Sequence, residues 1–221
     1  MLRTLLSRPH SGLREIGILA ALYAVYEVVR GFGDEDYETA FAHTGDIVAL
    51  ERSLGLFGEH AVQRAAESID GLPTALGLAY ILLHFLGTTV AVVWVYRTHR
   101  ESFPLLRTTL IGATALALVG YVLYPAAPPR LTDLGFADTV SSHTGLDLSS
   151  DLLGSFYNPI AAVPSLHFGY ALIVGVALAK LARGRAMRIA GLLYPAVMLL
   201  VIVATGNHFF FDAFAGAVVV A

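Results

Sequence analysis

Long apolar stretches, separated by short polar or charged segments, run along most of the chain. A helix needs about 20 residues to cross the roughly 30 Å hydrocarbon core of a bilayer. The stretches that approach or reach this length predict transmembrane helices at Leu13–Val29, Leu72–Tyr96, Leu105–Tyr124, Ser165–Leu181, Met187–Thr205 and from His208 onward. The pattern therefore predicts an all-α, polytopic membrane protein with six spans in a single domain, residues 1–221.

The first of these stretches has a second interpretation. Arg3, Arg8 and Arg14 precede a modest apolar run, which is also the order found in a signal peptide. Glu27 and Arg30 then follow without a convincing small-residue cleavage site. We therefore prefer a transmembrane helix for this stretch.

Basic residues fall on alternate connections between the predicted spans. Three groups share this placement: Arg3, Arg8 and Arg14; Arg97, Arg100 and Arg107; and Lys180, Arg183, Arg185 and Arg188. The intervening segments hold few basic and many acidic residues. Because cytoplasmic loops carry an excess of Lys and Arg, we predict that both termini are cytoplasmic, in the plasma membrane.

Two segments on the predicted outer side are too long to be turns. The first, residues 31–71, carries an apolar stripe at three- and four-residue spacing: Ile47, Leu50, Leu54, Ala61, Ala65 and Ile69. Glu51, Glu59, Arg64 and Glu67 lie off this stripe. The pattern predicts an amphipathic helix on the outer membrane surface, broken at Gly55 and Gly58. The second segment, residues 125–164, is rich in Pro, Gly, Ser and Asp, which is typical of a functional or irregular connection.

Composition narrows the class of protein further. The chain is 56% hydrophobic and only 14% charged, whereas soluble domains carry about a quarter charged residues. The absence of cysteine excludes disulfides and thiol chemistry. A net charge of −3 gives no indication of a nucleic-acid partner.

The segment Asn207–Asp212 contains the most informative polar cluster. His208 and Asp212 are four residues apart and would share a helix face, with Asn207 as a suitable N-cap. A carboxylate bonded to one imidazole nitrogen aims the other nitrogen outward, as in nucleophile–orienter pairs. A purely structural pair is the alternative, but an aspartate within a membrane is costly, which favours function.

A second cluster lies around Pro164. This proline disfavours helix at Val163, and Ser165 can cap the helix that follows. The amides of Leu166 and His167 would then form an anion site, with His167 placed to donate a proton. A capping serine beside a solvating histidine is the alternative.

Arg130 is the basic residue of the second long outer segment and follows a run of prolines. Its guanidinium can bind phosphate oxygens in a bidentate manner, although contact with lipid headgroups is the simpler interpretation. Tyr80 and His84, four residues apart in the second span, share a face and could contact substrate; a bundle-buried histidine is the alternative. Together these groups suit a phosphate site, because phosphoryl transfer depends on positioning and charge neutralisation.

The order Arg, then Pro-Ser-Leu-His, then His-x-x-x-Asp resembles the type 2 phosphatidic acid phosphatase (PAP2) superfamily. The Tyr-Pro-x-x-Pro-Pro-Arg, Pro-Ser-Leu-His-Phe-Gly and Asn-His-x-x-x-Asp-x-x-Ala-Gly elements look like the branch containing fungal inositol-phosphorylceramide synthase. The resemblance implies a PAP2-like helical bundle in which 72–221 is the catalytic part. It also implies that His208 is transiently phosphorylated, Asp212 orients it, His167 protonates the leaving group, and Ser165 and Arg130 bind phosphate. With Leu166, Asn207, Tyr80 and His84, these complete the predicted site.

Departures from the family pattern bear on the substrate. Leu123 stands where a lysine is usual, Leu131 replaces a proline, and Val201 and Ile202 replace Ser-Arg. Two cations are therefore missing. Since a phosphate monoester carries nearly two negative charges and a diester one, we expect a phosphodiester lipid and headgroup transfer.

The remaining alternatives differ in chemistry. A lipid phosphate monoesterase, acting on phosphatidic acid or a polyprenyl diphosphate, needs the same residues. A metal site is a second alternative, because His208, Asp212 and His167 give three possible ligands, but without a glutamate base or a denser histidine cluster we predict no metal and no cofactor. A non-catalytic lipid carrier is the third alternative, although no inverted repeat is visible. We expect a membrane lipid substrate, and water, a polyol or a lipid alcohol as acceptor.

Overall fold

The computed structural model describes residues 36–146 and 158–221, together with Gly17, Ile18, Ala21 and Ala24. Residues 36–221 belong to one compact unit. Its helices are α1 (Tyr37–Ser53), α2 (Glu59–Glu67), α3 (Leu72–Leu82), a π-helical segment (Leu83–Gly87), α4 (Thr88–Thr98), α5 (Phe103–Leu123), a 3-10 turn (Pro129–Leu131), α6 (Thr139–Thr144), α7 (Leu166–Leu181), α8 (Arg185–Ala204) and α9 (Phe210–Val220). The all-helical class predicted from the sequence is therefore confirmed for this part of the chain.

Within the described residues, three helices are long and apolar enough to cross a membrane. They are Leu72–Thr98 (27 residues, comprising α3, the π-helical segment and α4), Phe103–Leu123 (21 residues) and Arg185–Ala204 (20 residues). Helices α7 and α9 are apolar but shorter. The predicted first span, Leu13–Val29, lies largely outside the described residues. The chain is thus a multi-pass membrane protein by these three helices, and the total of six spans stays a prediction.

The segment before α3, which the sequence predicts on the outer side, forms two helices, and the predicted break is confirmed. Helix α1 ends at Ser53, Gly55 adopts a left-handed φ of 69°, and α2 begins at Glu59. The predicted orientation of its charged residues is wrong for two of them. Glu51 and Glu59 are buried, with 3% and 0% exposure, because their carboxyls accept hydrogen bonds from the backbone of α9.

The apolar stripe predicted on this segment is divided between interior and surface. Ile47 is buried against Ala126, Phe136 and Phe209 in a small hydrophobic cluster. The side chains of three other members are largely exposed: Leu50, Leu54 and Ile69. Helices α1 and α2 therefore carry apolar side chains on both their buried and their exposed faces. The buried face packs against the loop that follows α5.

Helix α7 packs against α5, α8 and α9. Glycines permit the closest of these approaches. A Cβ atom at Gly216 of α9 would lie 2.3 Å from the carbonyl oxygen of Ser165, and one at Gly175 of α7 would lie 2.6 Å from the carbonyl oxygen of Gly191. The middle of α9 is therefore held directly against the start of α7, backbone to backbone.

We expect Gly216→Ala to destabilise the protein by on the order of 2 kcal/mol, because the new methyl group forces the α9 and Ser165 backbones apart. The thermal unfolding midpoint of the purified protein in detergent measures this effect. Gly112→Ala, within α5, is the matched control, since the described residues leave open space around its Cβ position. Equal midpoints for the two variants would contradict the close contact.

Candidate functional site

Backbone hydrogen bonds bring together the three polar clusters predicted from the sequence. They run from the Ala162 N–H to the Ala126 carbonyl (3.1 Å), from the Arg130 N–H to the Gly206 carbonyl (2.9 Å) and from the Ser165 N–H to the Asp212 carbonyl (2.9 Å). Main-chain bonds do not depend on side-chain rotamers. The relative positions of the three clusters are therefore set by the fold itself.

The turn between α8 and α9 requires glycine at position 206. Gly206 has a φ of 70°, a left-handed conformation that costs most other residues free energy. A Cβ atom there would also lie 2.8 Å from the Ala137 carbonyl oxygen and 3.0 Å from the Gln63 amide nitrogen. The turn thereby delivers Asn207 and His208 into the protein interior, where their exposures are 0% and 5%.

His208 and Asp212 form the predicted hydrogen bond, but not on a shared helix. Helix α9 begins at Phe210 with Phe209 as N-cap, so the prediction of Asn207 as the cap is wrong. Asp212 is the third helical residue, and its Oδ2 accepts from the Phe209 N–H (2.9 Å) and contacts His208 Nδ1 (3.2 Å). One carboxylate thus caps the helix and fixes the imidazole, which leaves His208 Nε2 as the nitrogen available for chemistry.

Asn207 instead links Arg130 to the turn. The Arg130 Nη1 group donates to Asn207 Oδ1 (3.0 Å), and Asn207 Nδ2 donates to the Thr205 hydroxyl (2.8 Å). Arg130 Nε also lies 3.6 Å from Asp138 Oδ2. Because Arg130 is only 8% exposed, its position does not fit the alternative in which it contacts lipid headgroups at the surface.

Ser165 caps α7 as predicted. Its backbone is extended, and its hydroxyl oxygen accepts a hydrogen bond from the Phe168 N–H (3.4 Å). Leu166 and His167 are the first two residues of α7, where backbone N–H groups lack intrahelical partners and carry the positive end of the helix dipole. This helix start has the character of an anion site.

His167 lies within a cluster of four aromatic rings. Its ring centroid is 4.3 Å from that of Tyr80, 4.1 Å from that of His84 and 5.5 Å from that of His208. His84 belongs to the π-helical segment, a rare conformation that is frequent at functional sites. The two residues predicted only from their shared face are therefore both brought against His167.

Apolar side chains occupy the positions at which the family pattern has a lysine and a Ser-Arg pair. Leu123 is 75% exposed, whereas Val201 and Ile202 are buried core residues. Arg64 is exposed on α2. The described residues contain no group of three or more His, Cys, Asp or Glu side chains arranged to hold a metal ion.

Sequence reasoning missed three side chains of α1 and α2 that hold the candidate site. Glu59 and Glu51 accept from the Phe210 and Phe211 N–H groups, and Gln63 bonds both backbone groups of Ala137. One signal was present for Glu51, because it lies four residues after Ile47 and therefore on the same helix face. No comparable signal marked Glu59 or Gln63.

Comparison with known proteins identifies one family. The model of the PAP2 superfamily matches residues 45–221, which include every candidate residue described above. No curated protein and no solved structure matches the chain.

Proposed function

The chain belongs to the PAP2 superfamily, and on that premise we propose that it transfers or removes a phosphate-containing group on a lipid through a phosphohistidine at His208. Membership implies lipid phosphatase or phosphotransferase activity in general. The specific residues and roles below are our proposal. It rests mainly on one observation: the His208 and His167 rings lie 5.5 Å apart beside Arg130, with Asp212 bonded to His208.

In the first step, His208 Nε2 attacks the phosphorus of the lipid substrate and forms a P–N bond. The P–O bond to the leaving group breaks, and His167 transfers a proton to the departing oxygen. Asp212 holds Nδ1–H and stabilises the positive charge that develops on the imidazole. Arg130 and the Leu166 and His167 amides neutralise the charge on the remaining phosphate oxygens.

In the second step, the acceptor attacks the phosphohistidine. His167, now neutral, takes a proton from the acceptor hydroxyl, while the P–N bond breaks and returns the electron pair to His208 Nε2. Water as acceptor gives hydrolysis, and an alcohol such as a polyol or another lipid gives transfer. The scheme needs no metal or cofactor, since these side chains supply the nucleophile, the acid and the charge.

Tyr80 and His84 contribute by packing on His167. Both rings contact the same imidazole at about 4 Å, so they restrict its rotation and keep its proton aimed at the leaving oxygen. We assign them to the substrate-facing wall of the site. Ser165, whose hydroxyl caps α7, acts by holding the helix start in place.

The substrate we favour is a phosphodiester lipid whose headgroup is transferred. Arg130 is the basic side chain that the described residues place at the site, and one guanidinium matches the single charge of a diester better than the double charge of a monoester. This charge argument, with the sequence resemblance, favours a headgroup transferase such as an inositolphosphotransferase. A monoesterase acting on phosphatidic acid or a polyprenyl diphosphate is the second candidate.

Purified protein should convert a phosphodiester phospholipid faster than phosphatidic acid, and mass spectrometry of products from a lipid panel with and without inositol measures this. We expect headgroup-exchanged lipid with wild-type protein and a loss of at least about 1,000-fold in His208→Ala. Strong chelator should leave turnover intact.

The product pattern separates the candidates. Free phosphate from phosphatidic acid, with no diester turnover, would establish the monoesterase and contradict the diester preference. Lipid binding without any turnover would favour a carrier. Unchanged turnover in a folded His208→Ala variant would contradict the mechanism.

The proposed site faces the extracytoplasmic side, with both termini in the cytoplasm. Because these 221 residues contain no cysteine, single-cysteine variants of this sequence report topology without background. Glu67→Cys, exposed on α2, should react with a membrane-impermeant maleimide on intact cells. Arg185→Cys, exposed at the start of α8, should react only after permeabilisation, and the reverse pattern would contradict the orientation.

A further inference from the structure

Two glutamates of the outer helices are buried at the start of α9. Glu51 lies near the end of α1 and Glu59 is the first residue of α2, so the pair flanks the turn between these helices. Their exposures are 3% and 0%. Buried carboxyl groups are uncommon unless they are paired, so each of these two glutamates is expected to have bonding partners.

Their partners are backbone N–H groups in the first turn of α9. The Phe210 N–H donates to Glu59 Oε1 (3.0 Å), the Phe211 N–H donates to Glu51 Oε1 (2.7 Å), and the preceding Phe209 N–H donates to Asp212 Oδ2 (2.9 Å). These donors have no intrahelical acceptors, and a helix N-terminus favours carboxylate. Three consecutive N–H groups are thus each bound by a different carboxyl.

The second carboxyl oxygen of each glutamate, Oε2, lacks a hydrogen-bond donor, which indicates where a shared proton would lie. Glu51 Oε2 and Glu59 Oε2 are buried and have no donor among the other described side chains or amides. Because their other oxygens bond the N–H groups of adjacent residues, Phe211 and Phe210, the two buried carboxyls meet at the same helix turn, where a second negative charge is costly. Burial, and then the contact with Glu59, raise the pKa of Glu51 to about 8.

The charged groups around the pair do not replace this proton. Asp212 adds further negative charge. Nearby basic side chains are bonded elsewhere: Arg52 lies over the Phe57 ring, His60 bonds the Leu134 carbonyl, His208 bonds Asp212, and Arg130 bonds Asn207 and contacts Asp138. Among the described residues, no basic side chain therefore bonds the second oxygen of either glutamate.

We propose that Glu51 and Glu59 share one proton and act as positioning residues that hold the first turn of α9, and that loss of this proton sets the alkaline limit of turnover. The inference deepens the proposed function and rests on it for its effect on catalysis. Phe211 directly precedes Asp212, whose side chain fixes His208 and whose carbonyl binds the Ser165 N–H. A shift of this turn would therefore move the nucleophile and the anion site together.

The direction of the pH effect follows from proton linkage. The folded protein binds this proton more tightly than the unfolded chain does, whose carboxyl titrates near 4.5. The stabilisation is therefore fully present below that value and is lost as the pH rises towards about 8. Above a pH of about 8, two adjacent carboxylates would repel each other at the N-terminus of α9.

Glu51→Gln tests the pair because its carbonyl can accept from Phe211 while its amide donates permanently to Glu59. We expect kcat at pH 7 within about threefold of wild type, and an alkaline limb that is displaced upward or absent. Glu51→Ala, which lacks both bonds, should lower kcat about tenfold with little change in KM. Glu67→Gln, exposed on α2, is the matched control and should change neither.

An infrared measurement tests the shared proton without any turnover. Wild-type protein in detergent should show the C=O band of a protonated carboxyl at pH 7 that disappears as the pH passes about 8. The band should be missing from Glu51→Gln and from Glu59→Gln, and retained in Glu67→Gln.

Each outcome assigns success or failure to one proposal. No difference in this band between wild type and the Gln variants would overturn the pair, whatever the enzyme does. A band with no lipid turnover by wild-type protein would refute the proposed function and leave the pair standing. An alkaline limb of kcat that is identical in wild type and Glu51→Gln would overturn the role in turnover.

Discussion

A buried helix N-terminus must have its free N–H groups bonded, and the start of α9 meets this requirement with carboxyls from three places in the chain. Asp212 binds Phe209 from within the helix, whereas Glu59 of α2 and Glu51 of α1 reach Phe210 and Phe211. Leaving such groups unpaired would cost about 1–3 kcal/mol each. Helices α1 and α2 are therefore part of the framework that holds the proposed site.

The same turn couples the two histidines on which the proposed chemistry depends. Asp212 uses its side chain for His208 and its backbone carbonyl for Ser165, the residue that caps the helix carrying His167. Gly216 allows this because any side chain there would collide with the Ser165 backbone. One set of contacts therefore positions the proposed nucleophile, the proposed proton donor and the helix start proposed to bind the anion.

Features with a local cause could be predicted from the sequence. The long apolar runs gave the three membrane-length helices, the proline before Ser165 gave the α7 cap, and the spacing of His208 and Asp212 gave their hydrogen bond. The prediction of the His208–Asp212 hydrogen bond was correct, but the reason given for it, a shared helix face, was incomplete. His208 precedes the helix, and Asp212 reaches back to it from the first turn.

Features that depend on distant partners could not be predicted in this way. Periodicity places a glutamate on a face but does not reveal an N–H group 151 or 160 residues away that will bury it, as happens for Glu59 and Glu51. Asparagine is a residue type that often caps helices, yet the Asn207 side chain instead accepts a hydrogen bond from Arg130, which is distant in sequence. The π-helical segment around His84 likewise has no sequence signal as clear as a proline or glycine break.

The central claim is that His208 becomes covalently bound to phosphorus during turnover. Brief incubation with a phosphodiester lipid, an alkaline quench that preserves phosphohistidine and peptide mass spectrometry test it directly. The account predicts a phosphorus-containing adduct on His208 that disappears when acceptor is added. An adduct confined to His167, or none during active turnover, would contradict it.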